Sequence, residues 1–107
     1  MTPELTALHL LQKQHILRCE YQDGRKVDLS CEYLRVYSPS AEVRGHGQAL
    51  PKLLSGKAQV NIIGIEPIGA YGVKLIFDDG HDSGIYTFDY LYDLGVNQNE
   101  YWQTYLS

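Results

Sequence analysis

This 107-residue chain is poor in cysteine, carries no basic excess and has no long apolar run, and each shortage removes a class of function. Its two cysteines, Cys19 and Cys31, belong to no Cys-x-x-Cys pair, so they read as reduced core thiols rather than a redox or disulfide framework. Nine Lys and Arg stand against 13 Asp and Glu, a formal charge of −4. That is the wrong sign for a domain that neutralises nucleic-acid phosphates, so no nucleic-acid partner is expected. The longest aliphatic run, Ile62-Ile63-Gly64-Ile65, falls far short of the roughly 20 residues that span a bilayer. Residues Met1 to Gln12 offer no basic leader, and Glu4 and His9 interrupt their apolar residues. A secretory signal is not supported, and a cytoplasmic protein without membrane contact is expected.

What is present suits one small globular unit, residues 1–107, with 44% hydrophobic and 21% charged residues. A chain of this size buries roughly 65% of its unfolded surface, so it needs no metal or disulfide merely to fold. Aromatic usage is lopsided, with nine Tyr against two Phe and one Trp. Tyrosine packs apolar carbon while keeping a hydroxyl available at a surface or interface.

Residues 17–34 and 73–91 share one plan: an alternating run, an Asp-Gly turn, a second run, then Tyr-Leu in a short helical stretch. Asp23-Gly24 matches Asp79-Gly80 at an offset of 56 (79 − 23), and Tyr33-Leu34 matches Tyr90-Leu91 at 57 (90 − 33). The pattern predicts strand, strand, helix, twice, with one residue of difference between the halves. A slip of one residue turns every strand side chain over, so the hairpin register follows from which residues must share a face. A three-residue loop with glycine in the left-handed position pairs Leu17 with Leu29, Cys19 with Val27 and Tyr21 with Arg25. The same loop in the second unit predicts Val73 with Ile85, Leu75 with Ser83 and Phe77 with His81.

Ser30 is placed to cap the first helix, with Glu32 in its opening turn, and Gly95 to end the second after Tyr92 and Leu94. A third helix is signalled by Asn97 and Glu100 as a capping box, with Val96 and Tyr101 in the staple positions. Its stripe of Tyr101, Trp102, Tyr105 and Leu106 predicts core or interface packing. Leu8, Leu10 and Ile16 predict one or two opening strands, and Val60 to Glu66 another, stopped by Pro67 and Gly69. Ser38 to Gly56, with Pro39, Gly45, Gly47, Pro51 and Gly56, is a long irregular stretch, and long ordered loops in small domains tend to be functional. The expected fold is α+β: small antiparallel β-sheets from two repeated hairpin-helix units, a long ordered loop and a C-terminal helix.

Motifs for chemistry fail one by one. Gly56-Lys57 ends like a phosphate loop, but Pro51 and Ala58 stand where the first glycine and the hydroxyl are needed. Gly45-His46-Gly47 lacks the third glycine and the strand-to-helix setting of a dinucleotide fingerprint. Asp82-Ser83-Gly84 has no His and Asp in a recognisable triad context. Asp78, Asp79 and Asp82 lack calcium-loop spacing and read as turn chemistry and solvation. His9, His15, His46 and His81 show no ligand spacing. His81, beside Phe77 by register, reads as a hydrogen-bonded structural imidazole. The polar cluster Arg35, Ser38, Ser40, Glu42, Arg44 and His46 carries two guanidiniums able to grip a carboxylate or a partner's acidic patch.

The stretches from Leu34 to Gly47, Ile65-Glu66-Pro67-Ile68-Gly69, and Phe77 to Tyr86 resemble the gamma-butyrobetaine hydroxylase-like N-terminal domain family, over about Leu8 to Leu106. The resemblance implies a free-standing bacterial protein of unknown function. It also implies relatives in two settings: before the iron and 2-oxoglutarate domain of carnitine-synthesis hydroxylases, where the domain binds zinc and joins dimer contacts, and appended to some iron-sulfur carrier ATPases. By that family's motif the zinc ligands fall on Ser38, Ser40, Val43 and His81, of which only the histidine can bind zinc. Ser38 and His81 are instead expected to hydrogen-bond where metal would tie loop to hairpin.

The expectation is therefore a non-catalytic binding or adaptor domain without cofactor or metal, linked to iron-sulfur or oxygenase machinery. Arg35, Ser38, Ser40, Glu42, Arg44, His46, His81 and Asp82 would contact a protein partner, and homo-oligomerisation stays open. The alternative is a metal-binding protein using His81 with His46 or another histidine.

Overall fold

A computed structural model describes residues 3–39 and 58–106. Strand β1 (Leu5–Leu11) leads through one 3-10 turn to β2 (Ile16–Tyr21), β3 (Lys26–Ser30) and helix α1 (Cys31–Val36). Strands β4 (Ile62–Ile68), β5 (Gly72–Phe77) and β6 (Ile85–Thr87) precede α2 (Phe88–Val96) and α3 (Gln98–Leu106). The strands form two antiparallel three-stranded sheets, ordered β1-β2-β3 and β4-β5-β6. The α+β fold built on a repeated unit is thus present, and the unit includes a third strand that the sequence pattern did not mark as repeated.

The duplication reaches individual bonds. Gly24 and Gly80 occupy the left-handed region at φ 88° and 91°, where a side chain would be strained. The amides of Tyr21 and Phe77 donate across these turns to the carbonyls of Arg25 and His81, at 2.9 and 3.0 Å. Ser30 and Thr87, 57 residues apart (87 − 30), cap α1 and α2 by accepting from the amides of Tyr33 and Tyr90, each at 3.1 Å. Even the irregularities correspond: β1 shifts register between Leu5 and Ala7, and β4 between Ile62 and Gly64.

The first hairpin has the expected register, Leu17 opposite Leu29 and Cys19 opposite Val27. The second does not. Val73 lies opposite Tyr86 rather than Ile85, and Ser83 lies outside the strand. The expected Phe77 and His81 pairing holds at the turn, so an extra residue enters between His81 and Ile85. It turns Tyr86 into the core and leaves Ile85 exposed. This is the one-residue difference between the two offsets, taken up in the segment between the turn and β6.

Other expectations fail for local reasons. Strand β4 runs through Pro67, which sits opposite Val73, because an edge strand accommodates a missing N–H turned away from its partner. Gly95 does not end α2 but lies within it, where a Cβ would come 3.2 Å from Val27 Cγ1. Asn97 turns its amide back onto the end of α2, donating to Asp93 Oδ1 at 2.8 Å rather than serving α3.

The core joins both units: Leu17, Cys19 and Tyr21 of β2 and their counterparts Val73, Leu75 and Phe77 of β5 are all buried, with Leu34 and Leu91 from the helices. Helix α3 contributes only half-buried residues, chiefly Tyr101 and Trp102. Tyrosine hydroxyls hold it in place. Tyr37 donates to the carbonyl of Tyr101 at 2.8 Å, and Tyr105 to Glu32 at 2.7 Å.

Candidate functional site at the α1 and second-hairpin corner

The repeat creates two equivalent corners, each where one unit's helix meets the other unit's hairpin turn. At the first, Arg25 of the β2-β3 turn donates to the hydroxyl of Tyr92 on α2 at 3.2 Å and lies 5.7 Å from its ring centroid. That is a surface cation and ring contact, modest in energy. At the second, the equivalent positions are His81 and Arg35, and the chemistry changes from exposed to buried. Ser38, Arg35 and His81 are 0%, 8% and 6% exposed.

Arg35 comes from the last turn of α1 and donates from Nε to Asp79 Oδ2 at 2.9 Å. Asp79 Oδ1 accepts from the amide of His81 at 3.1 Å, the bond that Asp23 makes with Arg25 in the first turn at 3.0 Å. Ser38, just beyond α1, hydrogen-bonds His81 Nε2 through its hydroxyl at 2.9 Å, the donor depending on the imidazole tautomer. The His81 ring tilts against Phe77 with centroids 6.0 Å apart. Helix end and hairpin are thus tied by a chain of polar side chains within a largely buried corner. Among the described residues, Arg35 Nη1 is buried and has no hydrogen-bond partner.

Arg35 thus lies on a helix and is engaged internally, not carried on a loop as the sequence pattern suggested. Asp82 is exposed in the segment after the turn. Ser40, Glu42, Arg44 and His46 lie outside the described residues, as does Val43. The corner adds Asp79, which the sequence marked only as turn chemistry; the sequence signal that could have raised it was its match to Asp23 across the repeat.

The described histidines do not converge. His9 pairs with Glu20 at 2.9 Å, His15 Nδ1 lies 3.0 Å from the carbonyl of Val60, and His81 faces Ser38. Among the described residues no three His, Cys, Asp or Glu side chains are grouped to hold a metal. Both thiols lie elsewhere in the core. Burial pushes Cys19 up to about 12 and also raises Cys31, whose sulfur contacts Asn61 Oδ1 at 3.5 Å. At this corner one imidazole, one hydroxyl and a carboxylate already bonded at both oxygens do not fit a tetrahedral zinc site.

The model of the family described as gamma-butyrobetaine hydroxylase-like, N-terminal, matches residues 8–92. The chain belongs to that family. Two solution NMR structures share its fold at a TM-score of 0.82 each, with 51% and 44% identity. They match 98% and 99% of this chain, and 78% and 83% of their own. A crystal structure of a protein of unknown function from Acidithiobacillus ferrooxidans, described as belonging to the DUF971 family, is 30% identical with a TM-score of 0.73. It matches 89% of this chain and 98% of its own. No curated protein matches. This family domain has no described helix long and apolar enough to cross a membrane.

Proposed function

We propose that this domain is a non-catalytic binding or adaptor module that meets a protein partner at the corner formed by Arg35, Ser38, Asp79, His81 and the exposed Asp82. The single observation that carries the reading is Arg35 Nη1, a buried cationic donor with no acceptor among the described residues. Leaving such a donor unpaired costs about 1–3 kcal/mol, a penalty that a purely structural corner has reason to avoid. The first corner shows the cheaper solution, an exposed Arg25 against Tyr92. With Asp79 occupying Nε, the guanidinium keeps a free donor for a partner's carboxylate or carbonyl oxygen. Reaching it requires the corner to open, so binding entails a local rearrangement. The family's settings make iron-sulfur or 2-oxoglutarate oxygenase machinery the source of partner to examine first.

The test is affinity capture from native lysate by wild-type protein and by Arg35→Met, with the melting of both recorded. A partner retained by the wild type and lost by a still-folded Arg35→Met supports the reading. Capture indifferent to Arg35 overturns it.

A further inference from the structure

A second feature lies across the molecule from that corner. Between the edge strands of the two sheets, the inner faces fail to close and leave an open cavity of about 290 Å³. Leu5 and Leu8 of β1 form one wall, Ile65, Pro67 and Val73 of β4 and β5 the other, and Phe88 at the start of α2 the end. Leu5, Leu8, Ile65 and Phe88 are half-buried extensions of the core, so the cavity is a gap in the core with one open side.

We propose that this cavity is a binding site for an uncharged hydrocarbon chain of medium length, such as the tail of an acyl or alkyl group, with any polar end left in solvent. Three observations set the class of occupant. The first is size: the volume is about twice that of the roughly 150 Å³ apolar cavity that takes up benzene, and near the lower end of the 300–1,000 Å³ range of small-molecule sites. The second is lining. Among the described residues no charged side chain lines the space, and the one side-chain hydroxyl they place there, on Thr6, donates to the carbonyl of Glu20 at 3.1 Å. A charged or strongly hydrogen-bonding ligand would lose its hydration there without compensation. The third is the edges. The register shift at Leu5/Ala7 and the missing N–H of Pro67 interrupt the backbone ladders that an added β-strand would need, which disfavours an extended peptide.

The experiment is an NMR titration of the full chain with 1-decanol, following backbone amides and methyl groups. The expected result is saturable shifts at Leu5, Leu8, Ile65 and Val73, with intermolecular NOEs from the decanol methylenes to those methyls. Leu8→Trp, which enlarges a wall side chain on the face of β1 that carries its partner Cys19 into the core, should abolish saturation while the remaining amide spectrum is kept. If that variant fails to fold, the wild-type NOEs decide. Shifts located elsewhere, absence of NOEs, or a cavity covered by a second copy of the chain in a concentration-dependent dimer would each overturn the proposal. None of these outcomes depends on Arg35.

Discussion

The hydroxyl of Tyr33 donates to the carbonyl of Leu94 at 2.7 Å, and the hydroxyl of Tyr90 donates to the carbonyl of Tyr37 at 2.5 Å. The two donors and the two acceptors are each 57 residues apart (90 − 33 and 94 − 37), so each unit's helix closes the end of the other's. Tyr33→Phe and Tyr90→Phe are each expected to cost about 1 kcal/mol, the net worth of such a bond. In a domain of this size that lowers the melting temperature by roughly 4–8 °C per kcal/mol. Urea denaturation of both single variants checks this, and an unchanged midpoint in either contradicts it.

Ser38→Ala removes a hydroxyl bonded to an imidazole that is itself buried. The expected loss is about 1–3 kcal/mol, larger than for Thr6→Ala, whose hydroxyl is on an exposed residue. Denaturant midpoints compare the two, and equal costs would show that the corner is softer than its burial implies.

Both thiols should be silent to Ellman's reagent in the native protein and titrate as two once it is denatured. Burial, the first cause for each, raises Cys19 to about 12 and Cys31 in the same direction, so the nucleophilic thiolate is scarce. A folded-state value above the unfolded one leaves stability intact below the ordinary thiol range near 9 and erodes it as pH climbs toward 12. Cys19→Ala should therefore flatten the alkaline limb of a stability-against-pH curve.

Gly72→Ala should destabilise more than Gly24→Ala. A Cβ at Gly72 would stand 2.6 Å from the carbonyl oxygen of Tyr86, backbone that cannot swing aside, whereas Gly24 has open space and only a strained φ. The left-handed strain at Gly24 costs about 1–2 kcal/mol. Overpacking against β6 at Gly72 should exceed this, and chemical denaturation of the two variants ranks them.

Much of this architecture was legible because turns and caps are local. Asp-Gly, read with its flanking alternation, marked both hairpins, and Ser30 marked the first helix. The second register was missed because nothing within β6 itself says which of Ile85 and Tyr86 is core. The deciding information was the mismatch between offsets 56 and 57, which had to be placed before the helix. Pro67 and Gly95 were read as stops by propensity and overridden by context, an edge strand in one case and close packing on Val27 in the other. The tyrosine excess was legible as amphipathic packing, but its hydroxyls turn inward to carbonyls and carboxylates of neighbouring helices. The link between Ser38 and His81 was foreseen. The pairing of Arg35 with Asp79 was not, since 44 residues separate them and no local pattern joins a helix end to a distant turn.

The crossed tyrosines also bear on how the molecule could be divided. Because the acceptor for each phenol belongs to the opposite half, severing the chain between the halves strips both helices of their closing bond at once. Such fragments should be unstructured when separate and regain the native spectrum when mixed, behaving as an obligate pair that happens to be covalently joined.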